Sequence, residues 1–291
     1  MVSSVFILKG EERIMSQNKN NRCVIFGNPV AQSKSPEMQM RFAQNAGISL
    51  EYLKVLAPLD GFSEALETWK AKGILGANIT IPFKEDVMQL CDELTPEARL
   101  AKAVNTIRID ENGKIHGHNT DGIGLLRDIT VVKKYELAHK RVLVLGAGGA
   151  VRGILKPLLD FQPQEVVITN RTLSRAEGLA AEFSSFGSIK ASSWDQLTGE
   201  FDLIINATSA SLQSTFPALP KGIISHNSVG YDLVYGNEPT SFMTYFLEAG
   251  GREVSDGLGM LIEQGVYAFE FWFGIKPSLD GVLEIFGRES L

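Results

Sequence analysis

A glycine-rich turn near the middle of the chain has the residue types and spacing of a phosphate-binding loop. It lies in the run VLVLGAGGAVRG, where an apolar strand pattern gives way to a helical one. Gly146 and Gly148 would allow a tight turn and bring backbone N–H groups close to a pyrophosphate at the helix N-terminus. The third glycine of the usual pattern is replaced by Val151, so Gly149 and Ala150 are expected to provide the close packing. A glycine turn without a ligand is the alternative interpretation.

Two arginines follow the next predicted strand, where a site that binds NAD would place an acidic residue. The run VVITNRTLSR ends that strand in Asn170, Arg171 and Thr172, and Arg175 falls on the first turn of the next helix. A guanidinium group matches the geometry of a phosphate and can stack on a flat ring. The position therefore favours NADP, which carries a 2′-phosphate, over NAD. A pair of solvated surface arginines is the alternative.

Two serines lie close together at a predicted helix start in GNPVAQSKSPEM. Ser35 is expected to be the N-cap, with Pro36 at the first helical position. Capping does not account for Ser33, which would place a second hydroxyl beside the positive end of the helix dipole. Such a position suits a carboxylate ligand.

A lysine and an aspartate lie near predicted chain turns. In NITIPFKED, Thr80 and Lys84 flank a proline where a strand gives way to a helix, and Asp121 follows in GHNTDGIG. The lysine could be a solvated charge, and the aspartate could cap a helix that begins near Ile123. Alternatively the two side chains are partners, and the residue pattern leaves both interpretations open.

The elements that would position these groups alternate between strands and helices, which indicates a parallel α/β arrangement. The run VNTIRIDENGKIHGHNTD predicts a hairpin that turns at Asn112 and Gly113. A new series of strands and helices begins at Lys140 and is typical of a Rossmann-type half. The run GLGMLIEQGVYAFEFWFG predicts a long apolar helix near the C-terminus.

The composition disfavours several other classes of protein. The chain has 291 residues, which suggests roughly two domains, and a formal net charge of −6 without a long basic stripe, so no nucleic-acid partner is expected. The cysteines, Cys23 and Cys91, and the histidines form no metal-ligand pattern, so no metal site is expected. Buried, reduced thiols in a cytoplasmic protein are the simplest interpretation.

No apolar run approaches the ~18 residues that a membrane span requires, so no membrane partner is expected. The N-terminal residues lack the basic and apolar regions of a signal peptide. Translation could begin at Met1 or at Met15.

The segments GNPVAQSKSP, GANITIPFKED, AVNT, HNTDG, GAGGA, NRT and DGLGML follow one another in this order, from about Arg22 towards the C-terminus. In this order they resemble the shikimate dehydrogenase family. The resemblance implies NADP as cofactor and the reduction of 3-dehydroshikimate to shikimate, a step in aromatic amino-acid biosynthesis. It also implies an α/β fold in which a Rossmann-type NADP-binding domain, residues 121–255, interrupts an α/β substrate-binding domain, residues 1–120 and 256–291.

The resemblance further implies which residues act. Lys84 and Asp121 would form the catalytic pair at the reacting oxygen, and either could carry the proton. The other substrate-binding residues would be Ser33 and Ser35, at the carboxylate, and Thr80, Asn105, Tyr235 and Gln264. The cofactor-binding residues would be Gly146, Ala147, Gly148, Gly149 and Ala150 at the pyrophosphate, Asn170, Arg171, Thr172 and Arg175 at the adenosine ribose and its phosphate, and Leu233 and Gly257 near the nicotinamide.

The chain departs from the family pattern at two places. Ala210 and Ser211 stand where a glycine is often found, near the cofactor, and Gln32 stands where many members have histidine, at the mouth of the substrate pocket. A quinate/shikimate dehydrogenase that uses NAD and a non-enzymatic NADPH-binding regulator are the alternative functions. The retained Lys84, Asp121, Arg171 and Arg175 argue against both. The oligomeric state stays open, with a homodimer among the alternatives.

Overall fold

The computed structural model describes residues 21–291. The choice between Met1 and Met15 as the first residue lies outside the described residues. Within them, no helix is both long enough and apolar enough to cross a membrane.

The first of two sheets is built from the N-terminal part of the chain and has six strands in the order β2-β1-β3-β5-β6-β4. Their bounds are β1 Asn21–Gly27, β2 Leu50–Leu56, β3 Gly76–Ile79, β4 Glu93–Leu94, β5 Thr106–Ile109 and β6 Ile115–His118. The β5–β6 hairpin is antiparallel, as predicted. Its turn is held by the Asp110 carboxylate, which accepts the backbone N–H groups of Asn112 and Lys114, and Gly113 adopts a φ of +77°.

Helices α1 (Ser35–Asn45), α2 (Phe62–Ala71) and α3 (Pro96–Ala101) lie between these strands in the chain. The next helix, α4 (Asp121–Arg127), continues into a π-helical turn at Asp128–Val132. Strand β1 is buried from Cys23 to Gly27 and β3 over its whole length, and Phe83, which follows β3, stacks on Phe62 of α2 with ring centroids 4.7 Å apart.

The second sheet is entirely parallel and has the order β12-β11-β10-β7-β8-β9. Its strands are β7 Arg141–Leu145, β8 Glu165–Thr169, β9 Ile189–Ser192, β10 Leu203–Asn206, β11 Val229–Asp232 and β12 Glu253–Ser255. Helices α5 (Gly149–Leu159), α6 (Leu173–Phe183) and α7 (Ser241–Glu248) belong to this half. The order reverses between β7 and β10, which makes the carboxyl ends of these two strands the switch point where a dinucleotide fold binds its ligand.

The C-terminal helix α8 (Leu258–Phe273) returns to the first half of the chain. Its Ile262, Val266 and Phe269 form one buried cluster with Met38 and Phe42 of α1. The indole N–H of Trp272 also donates to the Ile107 carbonyl of β5 at 2.8 Å. This return agrees with a discontinuous first domain, although the boundaries at residues 120/121 and 255/256 stay a prediction.

Candidate active site

A cavity of about 250 Å³ lies where the first sheet, the start of α8 and the end of β11 meet. Ten predicted residues line it: Ser33, Ser35, Thr80, Lys84, Asn105, Asp121, Leu233, Tyr235, Gly257 and Gln264. The structure therefore brings all the predicted substrate-binding residues and both predicted nicotinamide-side residues to one cavity.

Lys84 and Asp121 form an ion pair on the wall of this cavity. The lysine Nζ lies 2.6 Å from Oδ2 of Asp121, and the side chains are 30% and 15% exposed. The exposed fractions leave the pair open to the cavity yet shielded from bulk water. The capping interpretation of Asp121 is wrong, because α4 begins at Asp121 itself and its N-cap, Thr120, makes no side-chain cap bond.

Both members of the pair are held by the backbone around them. Lys84 follows the buried Phe83, and its carbonyl accepts the N–H of Val104 at 2.8 Å. The N–H of Asp121 donates to Oδ1 of Asn119 at 3.1 Å, and the Asn119 amide in turn donates to the Ala103 carbonyl. The segment that leads into β5 thus fixes the lysine and aspartate relative to each other.

Asn105 connects the ion pair to the rest of the cavity wall. Its Nδ2 donates to Oδ1 of Asp121 at 2.8 Å and lies 3.4 Å from the Oε1 of Gln264 on α8. Both carboxylate oxygens of Asp121 therefore accept a hydrogen bond, one from Asn105 and one from Lys84. Asn105 and Lys84 thus hold the Asp121 carboxylate from two sides.

Tyr235 follows β11 and also lines the cavity. Burial, followed by the nearby Asp256 carboxylate, raises the pKa of Tyr235 above its ordinary value. The phenol therefore stays protonated and can donate a hydrogen bond into the cavity.

Both serines line the cavity, but neither is the N-cap of helix α1. Helix α1 begins at Ser35, its N-cap is Lys34, and no side chain caps it. Instead, Oγ of Ser33 accepts the N–H of Ser35 at 3.2 Å. The prediction that Ser35 is the N-cap is wrong, because the helix starts one residue earlier than the serine–proline pattern indicates.

The glycine turn lies at the switch point of the second sheet. Gly146 has a φ of +115°, and a Cβ there would lie 3.2 Å from the Ala207 carbonyl oxygen after β10. A Cβ on Gly148 or Gly149, at the start of α5, would meet no protein atom within 4 Å. The turn thus leaves open space in front of a helix N-terminus, which fits a pyrophosphate.

The expected packing role of Gly149 and Ala150 is wrong, because both residues are exposed. Val151, at the position of the missing third glycine, is fully buried in the core of the second half. The close contact is made elsewhere: a Cβ on Gly122 of α4 would lie 2.2 Å from the carbonyl oxygen of Gly153 in α5.

The two arginines lie after β8, outside the cavity, on the same edge of the sheet as the glycine turn. Arg171 and Arg175 are exposed, and neither side chain has a hydrogen-bond or ion-pair partner within residues 21–291. Asn170 closes the turn before α6 by donating from Nδ2 to the Thr172 carbonyl at 2.9 Å. Two exposed guanidinium groups without a partner in the described chain are available to bind an anionic ligand.

Several cavity residues were not predicted from the sequence: Ile25, Pro29, Val30, Asn78, Ile79, Met260 and Leu261. Asn78 carried a usable signal, because it is a lone amide in the otherwise apolar strand β3 and is buried to 6% exposure. The apolar residues carried none, since they are indistinguishable in sequence from core positions.

The chain is similar to proteins of known family. Three family models match the chain: the shikimate dehydrogenase substrate-binding domain over residues 25–107, shikimate/quinate 5-dehydrogenase over residues 129–215, and the shikimate 5′-dehydrogenase C-terminal domain over residues 257–285. A relative from Nitrosospira multiformis, a shikimate dehydrogenase (NADP(+)), is 45% identical over 260 residues, which cover 89% of this chain and 94% of the relative. The chain belongs to the shikimate dehydrogenase family.

Solved structures of similar proteins agree with this family assignment. An Ael1 enzyme from Pseudomonas putida superposes with a TM-score of 0.86 at 38% identity, covering 91% of this chain and 97% of its own. A shikimate 5-dehydrogenase from Thermus thermophilus, solved with NADP(H) and shikimate, gives a TM-score of 0.81 at 32% identity, covering 91% of this chain and 98% of its own. This member of the shikimate dehydrogenase family therefore shares the two-sheet α/β architecture predicted from its sequence.

Proposed function

We propose that this chain catalyses the reversible, NADP-dependent reduction of 3-dehydroshikimate to shikimate. The observation that carries the proposal is the Lys84–Asp121 pair, which lies with the two serine hydroxyls in a cavity between the first sheet and a parallel sheet that has a dinucleotide switch point. The NADP-dependent shikimate dehydrogenases among the relatives support the same choice of substrate and cofactor.

The substrate would bind with its carboxylate at one end of the cavity and its reacting oxygen at the other. Ser33 and Ser35 would donate hydroxyl hydrogens to the carboxylate near the N-terminus of α1. Hydroxyl, amide and phenol groups would hold the ring substituents: Thr80, Asn105, Tyr235 and Gln264. All six residues line the same cavity, which supports this assignment.

NADPH, when bound, supplies the hydride. The turn of Gly146, Ala147, Gly148, Gly149 and Ala150 would hold its pyrophosphate at the N-terminus of α5. The segment of Asn170, Arg171, Thr172 and Arg175 would hold the adenosine ribose and its phosphate. Leu233 and Gly257 would lie beside the nicotinamide, since both line the substrate cavity at its boundary with the second sheet.

The proton step is assigned to Lys84. Reduction of a carbonyl leaves negative charge on its oxygen, and a positioned acid must neutralise it. Lys84 carries hydrogens that can be given to this oxygen, whereas both oxygens of Asp121 already accept hydrogen bonds. Asp121 would orient the ammonium group and stabilise its charge; in the reverse reaction Lys84 would take the proton back.

We further propose a domain division, a cellular location and an assembly. The substrate domain would comprise residues 1–120 and 256–291, and the cofactor domain residues 121–255. A cytoplasmic location is proposed from the two cysteines, which form no disulfide pattern, and the lack of a nucleic-acid partner from the net charge of −6. A homodimer is the proposed assembly.

The test follows the formation of NADPH or NADH by absorbance, with shikimate or quinate as substrate and NADP⁺ or NAD⁺ as cofactor. We expect turnover with shikimate and NADP⁺ to exceed every other combination. Preferred turnover of quinate with NAD⁺ would replace the proposal by the quinate/shikimate alternative. Tight NADPH binding without turnover of either acid would replace it by the regulator.

A further inference from the structure

A buried row of polar side chains crosses the first sheet and ends at the candidate catalytic pair. Tyr52 on β2 donates its hydroxyl hydrogen to Oδ1 of Asn78 on β3 at 2.7 Å. Nδ2 of Asn78 donates to the Thr106 hydroxyl on β5 at 3.0 Å, and that hydroxyl donates to Oδ1 of Asn105 at 3.0 Å. Asn105 then donates to Asp121 at 2.8 Å.

Backbone groups fix the direction of each amide in this row. The N–H of Thr120 can only donate, and it lies 2.9 Å from Asn105, so the atom it meets must be the amide oxygen. The carbonyl of Asn105 can only accept, and it lies 3.3 Å from Asn78, so the atom there must be the amide nitrogen. The amide nitrogen of Asn105 is thereby left to face Asp121.

The Thr106 hydroxyl has its direction fixed by its two neighbours. It receives an N–H from Asn78 on one side and faces the oxygen of Asn105 on the other, so its own hydrogen must point to Asn105. Every donor in the row therefore points the same way, from Tyr52 towards the carboxylate of Asp121.

The row is almost wholly buried and begins at a donor that keeps its hydrogen. Tyr52, Asn78, Thr106 and Asn105 are at most 6% exposed. Burial raises the pKa of Tyr52 well above its ordinary value, so its hydroxyl does not ionise in the range where the enzyme works. Its ring lies 6.1 Å from that of Trp272 on α8, and this packing does not need the hydroxyl group.

We propose that Tyr52, Asn78 and Thr106 form a one-way hydrogen-bond relay that positions Asn105, so that its amide nitrogen faces Asp121 and holds the carboxylate against Lys84. The proposal rests on the proposed function, in which this pair carries the proton step. Tyr52 and Thr106 are positioning residues, because neither lines the cavity. Without the relay the Asn105 amide keeps the Thr120 N–H but loses the Thr106 hydroxyl, so it holds the carboxylate less firmly.

The first test removes the hydroxyls at constant shape. Thr106→Val should lower kcat about tenfold, the equivalent of about 1.4 kcal/mol, because a typical hydrogen bond contributes ~0.5–1.5 kcal/mol. Thr106→Ser restores the hydroxyl, so its kcat should stay within about threefold of the wild type. The Kd for NADPH should be unchanged in both.

Coupling between the two positions separates the relay from independent structural effects. If Tyr52 acts through Thr106, Tyr52→Phe in the Thr106→Val background should cause no further loss of kcat, whereas independent sites would give additive losses. Tyr135→Phe is the matched control: it removes a partly buried hydroxyl that donates to the Asp202 carbonyl at 3.0 Å in the second half. The control should keep wild-type kcat.

Three results would overturn the relay: wild-type kcat in Thr106→Val, a kcat in Thr106→Ser as low as in Thr106→Val, or additive losses in the double variant. Should Thr106→Val not fold, wild-type kcat in Tyr52→Phe would overturn it. If the wild type does not oxidise shikimate, the proposed function fails instead, and the relay is tested without turnover. The side-chain amide hydrogens of Asn105, identified by NMR through their loss in Asn105→Asp, should then exchange faster with solvent in Tyr52→Phe than in the wild type; equal exchange would overturn the relay.

Discussion

The arginines after β8 give the sharpest test of cofactor choice. We expect the Arg171→Ala and Arg175→Ala double substitution to weaken NADP binding and to leave NAD binding nearly unchanged, because only NADP carries the 2′-phosphate. Both side chains are exposed and have no partner within residues 21–291, so their removal breaks no contact of the described fold.

The magnitude follows from this exposure. A hydrogen bond to a charged group contributes ~1.5–3 kcal/mol, and water and salt at an exposed site favour the lower end. Two contacts of about 1.5 kcal/mol sum to ~3 kcal/mol, and ~1.4 kcal/mol is a tenfold change, so the double variant should bind NADP about a hundredfold more weakly. Each single variant should lose roughly tenfold.

The assay is a titration of the protein with NADPH and with NADH, read by the change in nicotinamide fluorescence, at low and at physiological salt. The NADPH affinity of the wild type should fall more steeply with salt than that of the double variant. Arg252→Ala is the control, since it removes an equally exposed cation of the second half that pairs with its neighbour Glu253. An equal loss of NADPH and NADH affinity would show that the arginines stack on the adenine or support the fold, and would refute phosphate recognition.

Three further predictions concern the candidate active site and its surroundings. Lys84→Met should lower kcat by ~10²–10⁴-fold with unchanged NADPH binding, and near wild-type kcat would exclude Lys84 as the proton carrier. Ser33→Ala should raise KM for shikimate and also lower the free energy of unfolding by ~0.5–1.5 kcal/mol, because it removes the acceptor of the Ser35 N–H, whereas Ser35→Ala should change only KM; urea unfolding of both variants tests this contrast. Burial is the main reason that the pKa of Asp128 is raised. The free energy of unfolding of the wild type should therefore fall as pH rises from about 4 through that raised pKa. Urea unfolding at pH 5 and pH 8 should show a smaller fall in Asp128→Asn.

The alternation of strands and helices could be predicted because apolar runs, glycines and prolines mark those elements directly. The strand β2 was not assigned, since LEYLKVL mixes charged and apolar residues at the edge of a sheet. The short edge strands β9 and β12 were missed for a similar reason. Edge strands bury less apolar surface than central ones, so their sequences carry a weaker pattern.

The site residues could be predicted as a set, but their contacts could not. Whether Asp121 caps a helix or binds Lys84 depends on a partner 37 residues away in the chain. Whether Ser33 or Ser35 accepts the first helical N–H depends on a shift of the helix start by one residue. The local sequence pattern determines neither contact, because both depend on the backbone path between separate segments.

The return of α8 has a consequence for the order in which the protein is made. The cluster around Met38 and Phe42 of α1 is completed by Leu258, Ile262 and Phe269, residues that leave the ribosome more than 200 positions later. The parallel sheet, in contrast, has all its strands between Arg141 and Ser255 and can assemble first. Until synthesis ends, the apolar face of α1 therefore stays exposed to solvent. Nascent chains that stall before residue 258 are thus candidates for chaperone binding and aggregation.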